Sequence, residues 1–170
     1  ILRNQKIKLE KKFKKKFGDL VEVEFCMRYG NPSTKSVMEK LRASGCEKIL
    51  FFPLYPQYAA PTTATANDQV FRVLMKMNWQ PAIRTVPAYY DNILFIESLA
   101  ASVRDVYRSL DKQPDHLVVS YHGVPERYLL SGDPYHCQCQ KTTRLLVNTL
   151  GWEKDMVTTT FQSKFGPEKW

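Results

Sequence analysis

Leu117-Val118-Val119-Ser120-Tyr121-His122-Gly123-Val124-Pro125-Glu126-Arg127-Tyr128 is the stretch on which the reading of the chain turns. Leu117, Val118 and Val119 form a short apolar run with β-branched side chains, which predicts a buried strand. That strand ends on Ser120-Tyr121-His122 and is broken at Gly123 and Pro125. A side chain just past the carboxyl end of a strand stands where open α/β sheets place their ligands. His122 holds that place. A neutral imidazole can ligate a metal or take a proton near pH 7. It can equally be a turn histidine bonded to nearby backbone, and the stretch alone leaves both open.

The segments on either side alternate between strand and helix patterns. Val21, Val23, Phe25 and Met27 alternate with Glu22, Glu24 and Cys26, a period of two that predicts a strand ending on Arg28-Tyr29. Asn31-Pro32-Ser33 can cap a helix running to about Ser44, with Gly45 as its stop. Residues 49–52 read as the next strand and 55–61 as a loop. A helix then carries Val70, Phe71, Leu74 and Met77 inward, and residues 82–86 are a third strand. Asp91 opens a long helix with Ile93, Ile96, Ala100, Val103 and Leu110 at helical spacing. Beyond the His122 strand, Pro134 opens a helix through Leu145, Leu146 and Leu150 to Gly151, and residues 156–161 are the fifth strand. This alternation predicts an α/β protein: a doubly wound, mainly parallel sheet with helices on both faces. Right-handed crossovers would bring the strand ends Arg28, Tyr29, Tyr55, His122 and Gln162 to one rim.

Composition narrows the function classes. Arg3 and seven lysines against Glu10 alone place seven of the chain's eight net positive charges in residues 1–18. Leu2, Leu9, Phe13 and Phe17 share one helical face there, so an amphipathic helix covering a sheet is expected. A nucleic-acid arm would need basicity beyond this one segment, and no nucleic-acid partner is expected. A peripheral contact with an anionic membrane stays open, against the plainer reading of a solvated lysine face. No apolar run approaches the roughly 18 residues of a membrane span, and no secretory signal pattern is present. Four scattered cysteines do not make a disulfide framework. Reduced thiols in the cytoplasm are the expectation.

Three blocks carry a resemblance. The first is Ser120 to Tyr128 followed by Gly132-Asp133-Pro134-Tyr135. The second is Tyr55-Pro56-Gln57-Tyr58 with Thr62-Thr63. The third is Phe161-Gln162-Ser163-Lys164-Phe165-Gly166-Pro167, ending at Trp170. In this order and spacing they resemble the ferrochelatases, lyases that insert ferrous iron into protoporphyrin IX in the terminal step of heme biosynthesis. The resemblance covers nearly the whole chain. It implies a chelatase-like, Rossmann-type three-layer fold, with protoporphyrin IX as substrate, Fe(2+) as substrate metal and no organic cofactor. It also implies a piece of a longer protein. Residues 1–87 would be the latter part of an N-terminal lobe. Residues 88–170 would be strand–helix units continuing toward a second lobe that holds a partner glutamate. Such a piece is expected to be inactive by itself.

The resemblance assigns roles residue by residue. His122 matches the family's essential histidine, whose role as ligand or as base it leaves open. Arg28-Tyr29 matches an arginine-containing pair in the cleft, against the plain reading of a surface arginine. Tyr55 and Tyr58 would pack on the flat macrocycle, or simply pack the loop. Gln162, Ser163 and Lys164 match residues near the porphyrin propionates, where Lys164 would supply positive charge. Trp170 matches too, although terminal residues commonly fray. His136-Cys137-Gln138-Cys139 lacks the paired spacing of a zinc or cluster motif. The animal-type cluster ligand after Tyr-Pro-Gln-Tyr is here Ala60, so an iron–sulfur cluster is not supported. The competing readings are a tetrapyrrole-binding module of the same fold, or a chelatase for another metal. The oligomeric state is not legible.

Overall fold

A computed structural model describes residues 1–164 and 166–170; Phe165 of the third block lies outside the described residues. The chain forms two compact units, Ile1–Pro53 with Ala64–Val86, and Leu54–Thr63 with Pro87–Trp170.

The first unit contains α1 (Leu2–Phe17), α2 (Thr34–Ala43), β1 (Lys48–Phe51), α3 (Thr65–Leu74) and β2 (Ala82–Thr85). β1 and β2 pair in parallel with Ile49 opposite Ile83. Ser33 caps α2 as predicted, its Oγ accepting the Ser36 N–H at 3.1 Å. Past the end of that helix, Gly45 takes a φ of 81°, which glycine adopts without a Cβ penalty. α2 and α3 pack on one another, with Val37, Met38, Ala66 and Val70 buried. Phe71, predicted to point inward, is 42% exposed. The buried stripe of α3 runs through Ala66 and Val70, four apart, and Phe71 sits a further 100° around the helix.

Two further expectations in this unit are corrected. Residues 21–26 form no strand; only Met27 is bridged, to Ser33. Alternation favours an extended backbone, but a strand also needs a partner, and none pairs with it among the described residues. α1 forms, with Phe13 and Phe17 in ring contact at 5.9 Å, yet none of its residues is buried. It is not a covering helix, because Lys6 falls on the same face as the apolar stripe. Lys6 instead bridges Glu10 at 3.1 Å and Glu24 at 3.6 Å.

The second unit contains α4 (Ile93–Ser109), β3 (Leu117–His122), α5 (Glu126–Leu130), α6 (Tyr135–Leu150) and β4 (Val157–Gln162). β3 and β4 are parallel and in register from Leu117 opposite Val157 to His122 opposite Gln162. α4 and α6 pack together and bury Ile96, Ala100, Leu146 and Val147. Asn92, rather than Asp91, caps α4, its Oδ1 accepting the Leu94 N–H at 3.0 Å. Ile93 and Leu110, expected inside, lie exposed at the two ends of α4. Gly151 ends α6 in the left-handed conformation, as predicted.

β3 is covered on one face only. Leu117, Val119 and Tyr121 are half-buried, and the Tyr121 hydroxyl meets Thr143 Oγ1 of α6 at 3.0 Å. Val118 on the other face is 58% exposed, so the strand is not buried on both sides. The class is α/β with parallel strands. The strands form two separate two-stranded sheets, β1 with β2 and β3 with β4, and not the single doubly wound sheet expected. Among the described residues, no helix is long and apolar enough to cross a membrane.

Candidate active site

The carboxyl end of the β3–β4 pair carries the central candidate residue. His122 and Gln162 are the last register partners. The next amide, Gly123 N–H, donates to the Gln162 carbonyl at 2.7 Å and closes the ladder. His122 Nδ1 lies 2.7 Å from the Gly123 carbonyl oxygen. A carbonyl can only accept, so in the neutral ring Nδ1 carries the proton and the lone pair is on Nε2. That nitrogen can bind a cation or take a proton. Backbone bonding was the bland alternative for this histidine. Here the backbone bond also fixes the tautomer and the ring orientation.

His122 lines a cavity of about 390 Å³, within the range of small-molecule sites. Its aromatic walls are Tyr128 of α5, Tyr135 of α6 and Trp170, and Pro61 and Thr62 of the helical turn Ala60–Ala64 also line it. Trp170 is not frayed. The preceding carbonyl, of Lys169, accepts the Glu126 N–H at 2.9 Å. Two ion pairs flank it, Arg127–Glu168 at 3.1 Å and Lys169–Glu126 at 3.0 Å. Burial raises the Tyr135 hydroxyl pKa, and the neighbouring Cys139 thiol adds to the shift. Tyr135 therefore stays neutral and serves as an apolar-faced wall. The arrangement suits a flat, largely apolar ligand with one imidazole nitrogen beside it.

The family model for ferrochelatase matches residues 1–170. The chain is 58% identical to the ferrochelatase of Rhodobacter capsulatus, over 100% of this chain and 49% of that protein. It is 57% identical to that of Allorhizobium ampelinum over 88% of this chain and 44% of that protein. The ferrochelatase of Rhizobium meliloti is 55% identical over the same shares. The chain belongs to the ferrochelatase family. It spans about half the length of these curated relatives.

All three family-like blocks reach this cavity, through Thr62, through His122 to Tyr135, and through Trp170, but the residues singled out in them are not all in its wall. Gln162 contributes its carbonyl to the Gly123 bond, while its side chain is exposed. Ser163 has a φ of 68°, left-handed backbone that a non-glycine residue adopts at a cost. It turns the chain sharply after β4. Lys164 follows, exposed and without an ion-pair partner among the described residues. Tyr55 is exposed, and Tyr58 is half-buried with its N–H donated to Gln138 Oε1 at 2.7 Å. Their loop neighbours line the cavity; they do not.

Arg28 and Tyr29 belong to the first unit, not to a rim shared with His122 on one sheet. The Arg28 guanidinium lies 4.5 Å from the Tyr29 ring centroid, and its buried Nε has no hydrogen-bond partner among the described residues. Tyr29 is 74% exposed. Tyr128 and Tyr135 were given no role from sequence, although both stand inside quoted blocks. The available signal was the family-like spacing itself.

His136, Cys137 and Cys139 do not converge, since successive positions on α6 point about 100° apart. The His136 ring stacks on Phe161 at 5.2 Å, Cys137 is exposed and Cys139 is fully buried. Burial pushes the Cys139 thiol up to about 12, against a smaller lowering by Tyr135. Only the thiolate reacts readily. At pH 8 a disulfide-exchange reagent should therefore label Cys137 within minutes and Cys139 only after unfolding. Labelling of native Cys139 at the rate of Cys137 would contradict this placement.

Proposed function

We propose that the full-length protein inserts ferrous iron into protoporphyrin IX, with His122 as the residue that handles the metal or the protons. In this reaction two pyrrole N–H bonds break and both protons leave. The ion ends on four ring nitrogens with its oxidation state unchanged. The observation that carries the reading is the lone pair of His122 Nε2 beside a cavity walled by Tyr128, Tyr135 and Trp170. Those rings would hold the macrocycle by its faces. Either use of His122 needs the neutral imidazole, which the Gly123 carbonyl orients. Arg28 and Tyr29 would meet anionic or polar groups in the cleft. Tyr55 and Tyr58 would contact the outer macrocycle, while Gln162, Ser163 and Lys164 would lie near the propionates. Residues 1–87 would be the latter part of an N-terminal lobe, and residues 88–170 strand–helix units continuing toward a second lobe. A cytoplasmic setting belongs to the proposal, and the four free thiols support it.

The test is anaerobic addition of ferrous iron to the full-length protein with protoporphyrin IX. Loss of porphyrin fluorescence with the appearance of heme absorbance supports the reading. Binding without metallation would make the protein a tetrapyrrole carrier. Lys164→Ala tests the propionate contact. A remote charge contact is mostly uniform binding, so porphyrin KM should rise about tenfold with kcat nearly unchanged. An unchanged KM would leave Lys164 a solvated lysine.

A further inference from the structure

One residue joins three walls of the cavity, two through its side chain and one through its main chain. The Asp133 carboxylate accepts the Ala60 N–H on Oδ2 at 2.7 Å and the Tyr135 N–H on Oδ1 at 2.9 Å. The Asp133 N–H donates to the Tyr128 carbonyl at 2.9 Å, which closes α5. Tyr128 and Tyr135 are wall residues, and Ala60 stands between the wall residues Ala59 and Pro61. The contact is reinforced farther along α6. Gln138 Oε1 accepts the Tyr58 N–H at 2.7 Å, and Gln57 Nε2 donates to Thr142 Oγ1 at 3.0 Å. Asp133, Gln138 and Thr142 thus lie about one turn apart and hold Gln57–Ala60 as a seam.

We infer that Asp133 is a positioning residue for the metallation site, fixing the loop wall against the α5 and α6 walls that share the cavity with His122. This rests on the metallation reading. The residue touches no reacting atom; it acts through Ala60, Tyr128 and Tyr135. The chemistry demands a carboxylate. Two N–H donors converge on it, and it offers an acceptor to each. Asparagine has one oxygen and one NH2 group, so one of the two N–H groups would face another donor. An ionised acceptor also makes the stronger, shorter bond. The partners are 73 residues apart in the chain for Ala60. Ala60 opens the helical turn Ala60–Ala64, so the bond fixes the start of that turn against the α5–α6 junction. A rigid macrocycle reads a shift of that turn sharply, since a misplacement of about 1 Å can cost ~10²-fold in rate.

The experiment uses the full-length protein with Asp133→Asn, and Ile96→Val as a control of reduced stability in the α4–α6 core. Amide hydrogen exchange, porphyrin Kd and kcat are measured on each. Asp133→Asn should speed exchange at Ala60 or Tyr135 at least tenfold. It should lower kcat about tenfold or more, whereas Ile96→Val should leave kcat unchanged. Wild-type kcat in Asp133→Asn overturns the inference, and so does an equal loss in Ile96→Val. Should Asp133→Asn not fold, Asp133→Glu is used. It keeps charge and both acceptors on a longer stem, and it too must lower kcat; unchanged turnover there overturns the inference. A wild-type protein that binds porphyrin without metallating it would overturn the metallation reading alone. The porphyrin Kd of Asp133→Asn then decides the clamp: weakening of tenfold upholds it, and an unchanged Kd overturns it.

Discussion

In the full-length protein, His122→Ala should abolish porphyrin metallation, with kcat falling by about 10³-fold or more, at the upper part of the range for a positioned acid–base group. Among the described residues of the cavity wall, the substitution removes the one ring nitrogen that offers a lone pair in the neutral imidazole. It removes nothing the fold needs. The His122 side chain lies on the exposed face of β3, and its recorded bond is to the carbonyl of the next residue. Stability should therefore change by less than about 0.5 kcal/mol, as for surface positions away from special features. Circular dichroism and the melting curve check the fold, and fluorescence loss of protoporphyrin checks turnover. Near-normal turnover in a folded variant would remove His122 from the mechanism, whichever of its two roles is considered.

The position of that histidine was legible because strand and breaker signals are local. Leu117–His122 forms the strand, and the chain leaves it at Gly123. Helix ends were legible for the same reason. Ser33 caps α2 through its own hydroxyl, and Gly151 ends α6 in a conformation other residues avoid. What failed was information about partners. Val21 to Met27 alternate correctly but find no neighbouring strand among the described residues. Val118 is as apolar as Val119, yet only one of them meets helices, because the sheet is covered on one face. Phe71, Ile93 and Leu110 obey helical spacing loosely, and burial went to the tighter pairs Ala66–Val70 and Ile96–Ala100. α5 has five residues, too few to carry a period. The walls Tyr128 and Tyr135 become walls only through α5 and the turn at Asp133. The Asp133 bond to Ala60 spans a distance along the chain at which no pattern exists.

Gly123→Val should cost both stability and turnover, and the reason is steric. A Cβ built on Gly123 lies 3.0 Å from the Gln162 carbonyl oxygen and 3.0 Å from Trp170 Cε3. Those contacts are tighter than ordinary packing permits, before the two methyl groups of valine are added. Neither neighbour yields freely. The Gln162 oxygen already accepts the Gly123 N–H at 2.7 Å and ends the β3–β4 ladder. The Trp170 segment is held through Lys169 and Glu168 to the start of α5. The indole is the softer of the two, so it should be pushed out of the cavity wall. Overpacking of this kind costs about 1–3 kcal/mol, and loss of one aromatic wall beside His122 should lower kcat/KM about 100-fold, the scale of a 1 Å misplacement. Gly123→Ala should fall between, since a single methyl asks its neighbours to move only a few tenths of an ångström. Trp170 can report the displacement directly once Trp79→Phe and Trp152→Phe leave it as the sole indole of residues 1–170. In this background of the full-length protein, with the spectrum of the matching Trp170→Phe protein subtracted, Gly123→Val should red-shift the Trp170 emission as the ring meets water. Unshifted emission together with wild-type kcat/KM would mean that valine is accommodated elsewhere and that Trp170 does not pack against Gly123 in solution.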